Sequence, residues 1–423
     1  MSRRKMGAMR AASVLLFGCL GLGCSSKAPA IGADPAPSAS VASAASAAPP
    51  ALAPSAVGSL GAAASASATA TASADATALG VPEPPFKGNG NLELSPDGQR
   101  FAVTFDGGVL VAPVVGGASV VIPRSMKGSA AVSDMAFSDD ASRLALGSGD
   151  GSAEILDALS GASLAKLKSP GTPGYVSAVA FSHDGSLLAV SGEHIDLWEI
   201  AGKRVVCKAE ANNVAQVAFA ADGRSFSATG SSRYVTSDAS DCHTLAEGSL
   251  DTGGTFPSVL SPDGAFVASS EAAGHELNVY ATRPFARRGK LPGASSCEDH
   301  VGQIRFSDKG ALLSAGNNHW VRTYEPKTFR RIGAWQADPQ AIPSQIAFFP
   351  DGRRFVLVPE KGAPEVFDLK TQKAVCQLQI TGHRPSTLEV TATGAFVVGV
   401  TPDAVVVWDA ATCAKMRDVA PAP

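Results

Sequence analysis

The residues of this chain that could do chemistry are few and scattered. Seven histidines, His183, His194, His243, His275, His300, His319 and His383, are spread over 423 residues, and none forms a ligand spacing such as H-x-x-x-H. No Cys-x-x-Cys pair, no G-x-S-x-G elbow and no glycine-rich phosphate loop followed by lysine is present. Aspartates do recur, at Asp97, Asp184, Asp222, Asp263 and Asp351, but each precedes a glycine between two apolar runs. There the side chain accepts local backbone N–H groups of a hairpin turn, so the recurrence is no sign of a carboxylate pair. No catalytic residue, metal site or cofactor is expected from linear motifs.

Composition agrees. A net charge of −3 gives no bulk attraction to nucleic acid, and 43 glycines and 28 prolines with 45% apolar residues suit a turn-rich β protein.

The elements that position these side chains are repeats. In VSAVAFSHDGSLLAVSGEHIDLWEIAGKRVVC, from Val176 to Cys207, Val176, Val179 and Phe181 predict a strand that turns at Asp184-Gly185. Leu187 to Val190 predict a second strand, Ile195, Leu197 and Trp198 a third, and Val205-Val206 a fourth. Asp-Gly between alternating apolar runs is a hairpin signal, because glycine tolerates positive φ. Corresponding turns fall at Gly98, Ala141, Gly185, Gly223, Gly264, Gly310, Gly352 and Gly394, a period of about 42 residues. A sheet with two apolar faces cannot stand alone and must stack on its neighbours.

About four short strands per period, with an apolar run into Ser-Pro-Asp-Gly, resembles the WD40 repeat. The Trp-Asp position of that family reads Trp198-Glu199, Phe367-Asp368 and Trp408-Asp409, and more distantly Tyr324-Glu325, Tyr280-Ala281 and Leu156-Asp157. The resemblance implies an all-β fold, an eight-bladed β-propeller over residues 88–420, with a seven-bladed ring as the alternative. The family's Gly-His, whose His joins an Asp and the Trp, is approached only by Gly382-His383 with Asp403 and Trp408. The other blades are therefore expected to hold by apolar packing. Closure is expected either by packing the first unit on the last or by adding a strand from residues 82–91 to the last blade.

The repeat register gives the cysteines meaning. Cys207 follows Trp198 by nine residues and Cys376 follows Phe367 by nine, which places both in outer strands. Cys242 and Cys413 each lie five residues after the tryptophan-equivalent positions Ser237 and Trp408, at the turn before the outer strand. Disulfides Cys207–Cys242 and Cys376–Cys413 are expected, each joining neighbouring blades at the rim, with Cys297 left over. A second surface feature is basic: Arg283, Arg287, Arg288 and Lys290 after Tyr280, and Arg330-Arg331 after Tyr324. These form either a contact for an acidic partner or a solvated edge that discourages sheet-to-sheet pairing.

The N-terminus has a different character. Arg3, Arg4, Lys5 and Arg10 precede the apolar run from Ala11 to Gly23, which ends in LGLGC. This resembles a bacterial lipoprotein signal, with residues 1–23 as the signal peptide and Cys24 as the lipidated residue. Residues 24–87 are mostly Ala, Ser and Pro and predict a disordered tether with a reach of ~40–50 Å. The combined expectation is a lipid-anchored outer-membrane propeller, its side of the membrane open, that binds or scaffolds another envelope protein or a cell-wall component. It is expected to be monomeric, without enzymatic activity and without nucleic acid. The alternatives are a periplasmic hydrolase or lactonase-like propeller with a site at the channel mouth, and a purely structural envelope protein.

Overall fold

The computed structural model describes residues 88–421, apart from segments at 129–130, 169–173, 212–213, 231–232, 251–257, 262–263, 271–276, 292–302, 307–312, 317–319, 326, 329, 337–342 and 360–361. The expected signal peptide 1–23, the lipidation site Cys24 and the tether 24–87 lie outside the described residues, as do Cys297, His275, His300 and His319.

The chain forms eight four-stranded antiparallel sheets, each from four consecutive strands in sequence order. They span residues 88–123, 132–168, 178–209, 214–249, 258–291, 303–336, 343–377 and 387–419, and are numbered sheets 1 to 8. In sheet 3 the strands are Ala178–Phe181, Leu187–Ser191, Ile195–Glu199 and Arg204–Ala209. The turn between its first two strands shows why the repeated sequence folds this way. Gly185, at φ 66°, donates its N–H to the Ser182 carbonyl, and Asp184 accepts the Ser186 N–H at 3.0 Å. Ser182 Oγ accepts the Leu187 N–H at 2.9 Å and donates to Asp184 at 2.6 Å. Sheets 1 and 2 repeat the arrangement with Ser95-Asp97 and Ser138-Asp140. In sheet 2 the left-handed position is taken by Ala141 at φ 54°.

Because side chains alternate along a strand, each sheet gives one set to the sheet before it and the other to the sheet after it. Phe101, Val103 and Phe105 of sheet 1 pack with Val398, Val400, Val405 and Val407 of sheet 8, whereas Ala102, Val109 and Val111 pack with Leu144 and Leu146 of sheet 2. Every other consecutive pair shares an apolar cluster of the same kind. The first strand, Gly88–Leu94, pairs with Arg100–Phe105 of its own sheet, so sheets 1 and 8 meet by packing and not through a strand donated to sheet 8.

Two disulfides cross these junctions. Cys207, on the fourth strand of sheet 3, bonds Cys242 in the turn before the fourth strand of sheet 4, with Cα atoms 5.6 Å apart. Cys376 on sheet 7 bonds Cys413 of sheet 8 in the same way, at 5.9 Å. Cys242 and Cys413 have φ of 62° and 58°, the left-handed turn position held by Gly161 at φ 70° in sheet 2. The turn is built by the aspartate four residues earlier: Asp409 accepts the Ala411 and Thr412 N–H groups, and Asp238 accepts the Ser240 N–H.

Candidate functional site at the axis

First strands lie side by side from sheet 1 through sheet 6, and again from sheet 7 through sheet 8 to sheet 1. They line the axis, and the side chains at their inner edge define the candidate site. Glu93 and Glu389 stand two residues before the turn-opening Ser95 and Thr391, Arg305 holds the same place near the end of its strand, and Asp134, Gln216 and Gln345 stand four before the equivalent positions.

The four-before side chains bond to the next sheet. Asp134 accepts the Val179 N–H at 2.8 Å and Gln216 accepts the Leu260 N–H at 3.1 Å. Gln345 donates to the Ser386 carbonyl. The expectation that apolar packing alone joins the sheets is thereby corrected. A polar link recurs at the axis, invisible in sequence because its members lie more than forty residues apart.

The two-before side chains carry charge. Arg305 of sheet 6 pairs with Glu389 of sheet 8, and the equivalent residue of sheet 7 is Ala347. Burial, with the neighbouring carboxylates of Asp134 and Glu389, pushes the Glu93 carboxyl up to about 8, and Arg305 acts the other way. Burial likewise raises Asp134 to about 6, against its backbone hydrogen bonds. At the turn end of the axis, Ser95, Pro96, Arg305, Phe349, Pro350 and Thr391 contribute to a pocket of about 100 Å³ drawn from sheets 1, 6, 7 and 8.

These shifts fix the pH response. A carboxyl raised in the folded state keeps its proton where the unfolded chain has lost it, so stability falls as pH rises from 4.5 toward about 8 through Glu93. Asp140 and Asp184 act oppositely: serine hydroxyls and backbone N–H groups hold them down to about 2, so their contribution is lost as pH falls below 3.8. The midpoint of unfolding should therefore be highest near pH 4 to 5. In Glu93→Gln it should gain on the wild type between pH 5 and 8, by on the order of 1–2 kcal/mol once channel water is allowed for. A wild-type midpoint that climbs steadily to pH 8 would contradict this assignment.

The other sequence-derived positions are exposed. Arg283, Arg287, Arg288 and Lys290 of sheet 5 and Arg330 and Arg331 of sheet 6 all face solvent, with Arg330 3.7 Å from Glu325. Phe285 leaves this flank. Its ring stacks between Tyr234 and Tyr280, 5.1 Å from each, in space that Gly248 leaves open. His383 contacts Asp403 at 2.7 Å, but Trp408 Nε1 donates to the Gln379 carbonyl, so the expected His-Asp-Trp network is not assembled. Asp238, Asp241 and His243 cluster at the turn beside Cys242, but the His243 ring nitrogen is engaged by Asp241 at 2.6 Å, which favours its protonated form.

The arrangement of sheets is that of a WD40-type β-propeller. The sequence profile of the WD domain, G-beta repeat, matches residues 161–196. No curated protein matches the chain. Among solved structures, the chain is similar to the β-propeller domain of Cps50 (Swd1) from Myceliophteria thermophila, at 14% identity and a TM-score of 0.50, covering 68% of this chain and 99% of that one. It is also similar to the C-terminal WD40 domain of Sif2, at 14% identity and a TM-score of 0.59, covering 75% and 93%. No catalytic cluster stands among the described residues.

These likenesses correct the N-terminal reading. The matched propellers are domains of Cps50 (Swd1) and Sif2, not outer-membrane lipoproteins. The lipoprotein resemblance, the envelope or cell-wall partner, the monomeric membrane-anchored state and the outer-membrane or periplasmic location are withdrawn, and with them the envelope enzyme and envelope structural alternatives. The physical reason lies in the weight of the signals. A few basic residues before a short apolar run form a low-information pattern, common to many N-termini.

Proposed function

We propose that this chain is a protein-interaction module, an eight-bladed ring whose axial mouth receives a basic side chain of its partner. The carrying observation is the excess of carboxylates at the axis: Glu93, Asp134 and Glu389 face a single described guanidinium, Arg305, already paired with Glu389. Glu93 is raised because no charge of opposite sign adequately offsets its burial, and a lysine or arginine entering from the mouth supplies one. Eight sheets with eight shared clusters support the eight-bladed count over seven.

Short peptides bearing one lysine or arginine, and neutral analogues, should be titrated against the full chain by fluorescence anisotropy. The basic peptides should bind, and Glu93→Gln with Glu389→Gln should weaken them about tenfold, the scale of one charge-assisted contact. Replacing Arg287, Arg288 and Arg331 should leave this binding unchanged. Equal affinity for basic and neutral peptides, or loss only in the arginine variant, would reject the axial mouth; the second result would make the basic outer strands the contact.

A further inference from the structure

The junction between sheets 4 and 5 differs from the rest. On the sheet 4 side, Ser225, Ser227, Thr229, Tyr234 and Thr236 form the face turned toward sheet 5, because their neighbours Phe226, Ala228 and Val235 pack against sheet 3. On the sheet 5 side, Ser269 and Asn278 are directly paired across the second and third strands and lie on the face of Val267 and Tyr280, turned toward sheet 4. Thr229, Ser269 and Asn278 are fully buried, at 0% exposure. Among the described residues, Thr229 Oγ1, Ser269 Oγ and both Asn278 amide atoms have no hydrogen-bond partner, and Ser225 Oγ at the turn end of the same face also lacks one.

Other sheets treat the position of Asn278 differently. Glu154 of sheet 2 is met by Arg124 from sheet 1, Asp196 of sheet 3 by Lys208 and His194, and Glu365 of sheet 7 by Gln377. In sheets 1 and 8 it is apolar, Leu110 and Val406. A primary amide with four unmet hydrogen-bonding sites is costly in a dry interface and cheap in a hydrated one.

We infer that the seam between sheets 4 and 5 holds internal water around Asn278, Ser269 and Thr229 and is the place where the ring opens first. The Tyr234–Phe285–Tyr280 stack closes the seam on one side and the Gln216 bond to Leu260 holds it at the axis. The disulfide to sheet 3 keeps sheet 4 in place when sheet 5 parts from it.

Amide hydrogen exchange on the full chain tests this. The strands Ser225–Gly230, Arg233–Asp238, Phe266–Ser270 and Leu277–Thr282 should exchange at least about tenfold faster than the second and third strands of sheets 8 and 1. A variant with Thr229→Val, Ser269→Ala and Asn278→Leu should slow exchange in those strands and raise the unfolding midpoint, since polar groups without partners are replaced by apolar ones of similar shape. Even protection around the ring, or a midpoint lowered by the triple variant, would overturn the inference. The wild-type exchange pattern decides even if the variant does not fold.

Discussion

Phe101→Ala should cost the fold about 3–5 kcal/mol, the range for emptying a buried phenylalanine site. The ring of Phe101 is at 0% exposure and belongs to the cluster that joins sheet 1 to sheet 8. Its neighbours there are valines and phenylalanines fixed on rigid strands, so the cavity has little chance to collapse. The junction also lies between the two ends of the described chain, so no tight turn helps to hold it. With an unfolding entropy of about 2.1 cal/mol/K per residue over the propeller, the midpoint should fall by roughly 4–7 °C. Phe101→Leu should recover most of this. Denaturant titration of both variants decides: a loss under ~1 kcal/mol in the alanine variant would mean that sheets 1 and 8 do not depend on each other.

Removing the Cys207–Cys242 bond by paired alanine substitution should lower stability by about 3–4 kcal/mol, the chain-entropy value for a loop of 35 residues. The Cys376–Cys413 bond spans 37 residues and should contribute a similar amount. The pairs lie on different sheets with no shared cluster, so losing both should be close to additive, about 6–8 kcal/mol, and the midpoint should fall by about 10 °C. Mass mapping of a non-reduced digest fixes the bond state, and reduction of the wild type should reproduce the double variant. Bonds present yet a midpoint unmoved by reduction would show that the rim apolar contacts hold without them.

Much of the fold was legible because it is periodic. Serine, aspartate and glycine recur at the first hairpin with the spacing their hydrogen bonds require, and the apolar strand positions recur with them. The cysteines could be paired on paper because both couples occupy the same two places in consecutive repeats. The axial site was not legible in the same way. Glu93, Asp134, Arg305 and Glu389 are each the one charged residue of their strand, and only the circular arrangement brings them together. Tabulating the polar residues at equal distance before each turn would have exposed them. The place of Phe285 was hidden for a related reason: position along a strand does not reveal that Gly248 on the neighbouring sheet leaves room for a ring.

The two sulfur bridges also change what a cut in the chain can do. Cys207 and Cys242 bracket the passage from sheet 3 to sheet 4, and Cys376 and Cys413 bracket that from sheet 7 to sheet 8. A protease that severs the backbone anywhere between the members of either couple releases nothing, because the severed ends stay joined through sulfur. At two stations along its length, continuity of the polypeptide is thus duplicated, and covalent integrity there survives a single break.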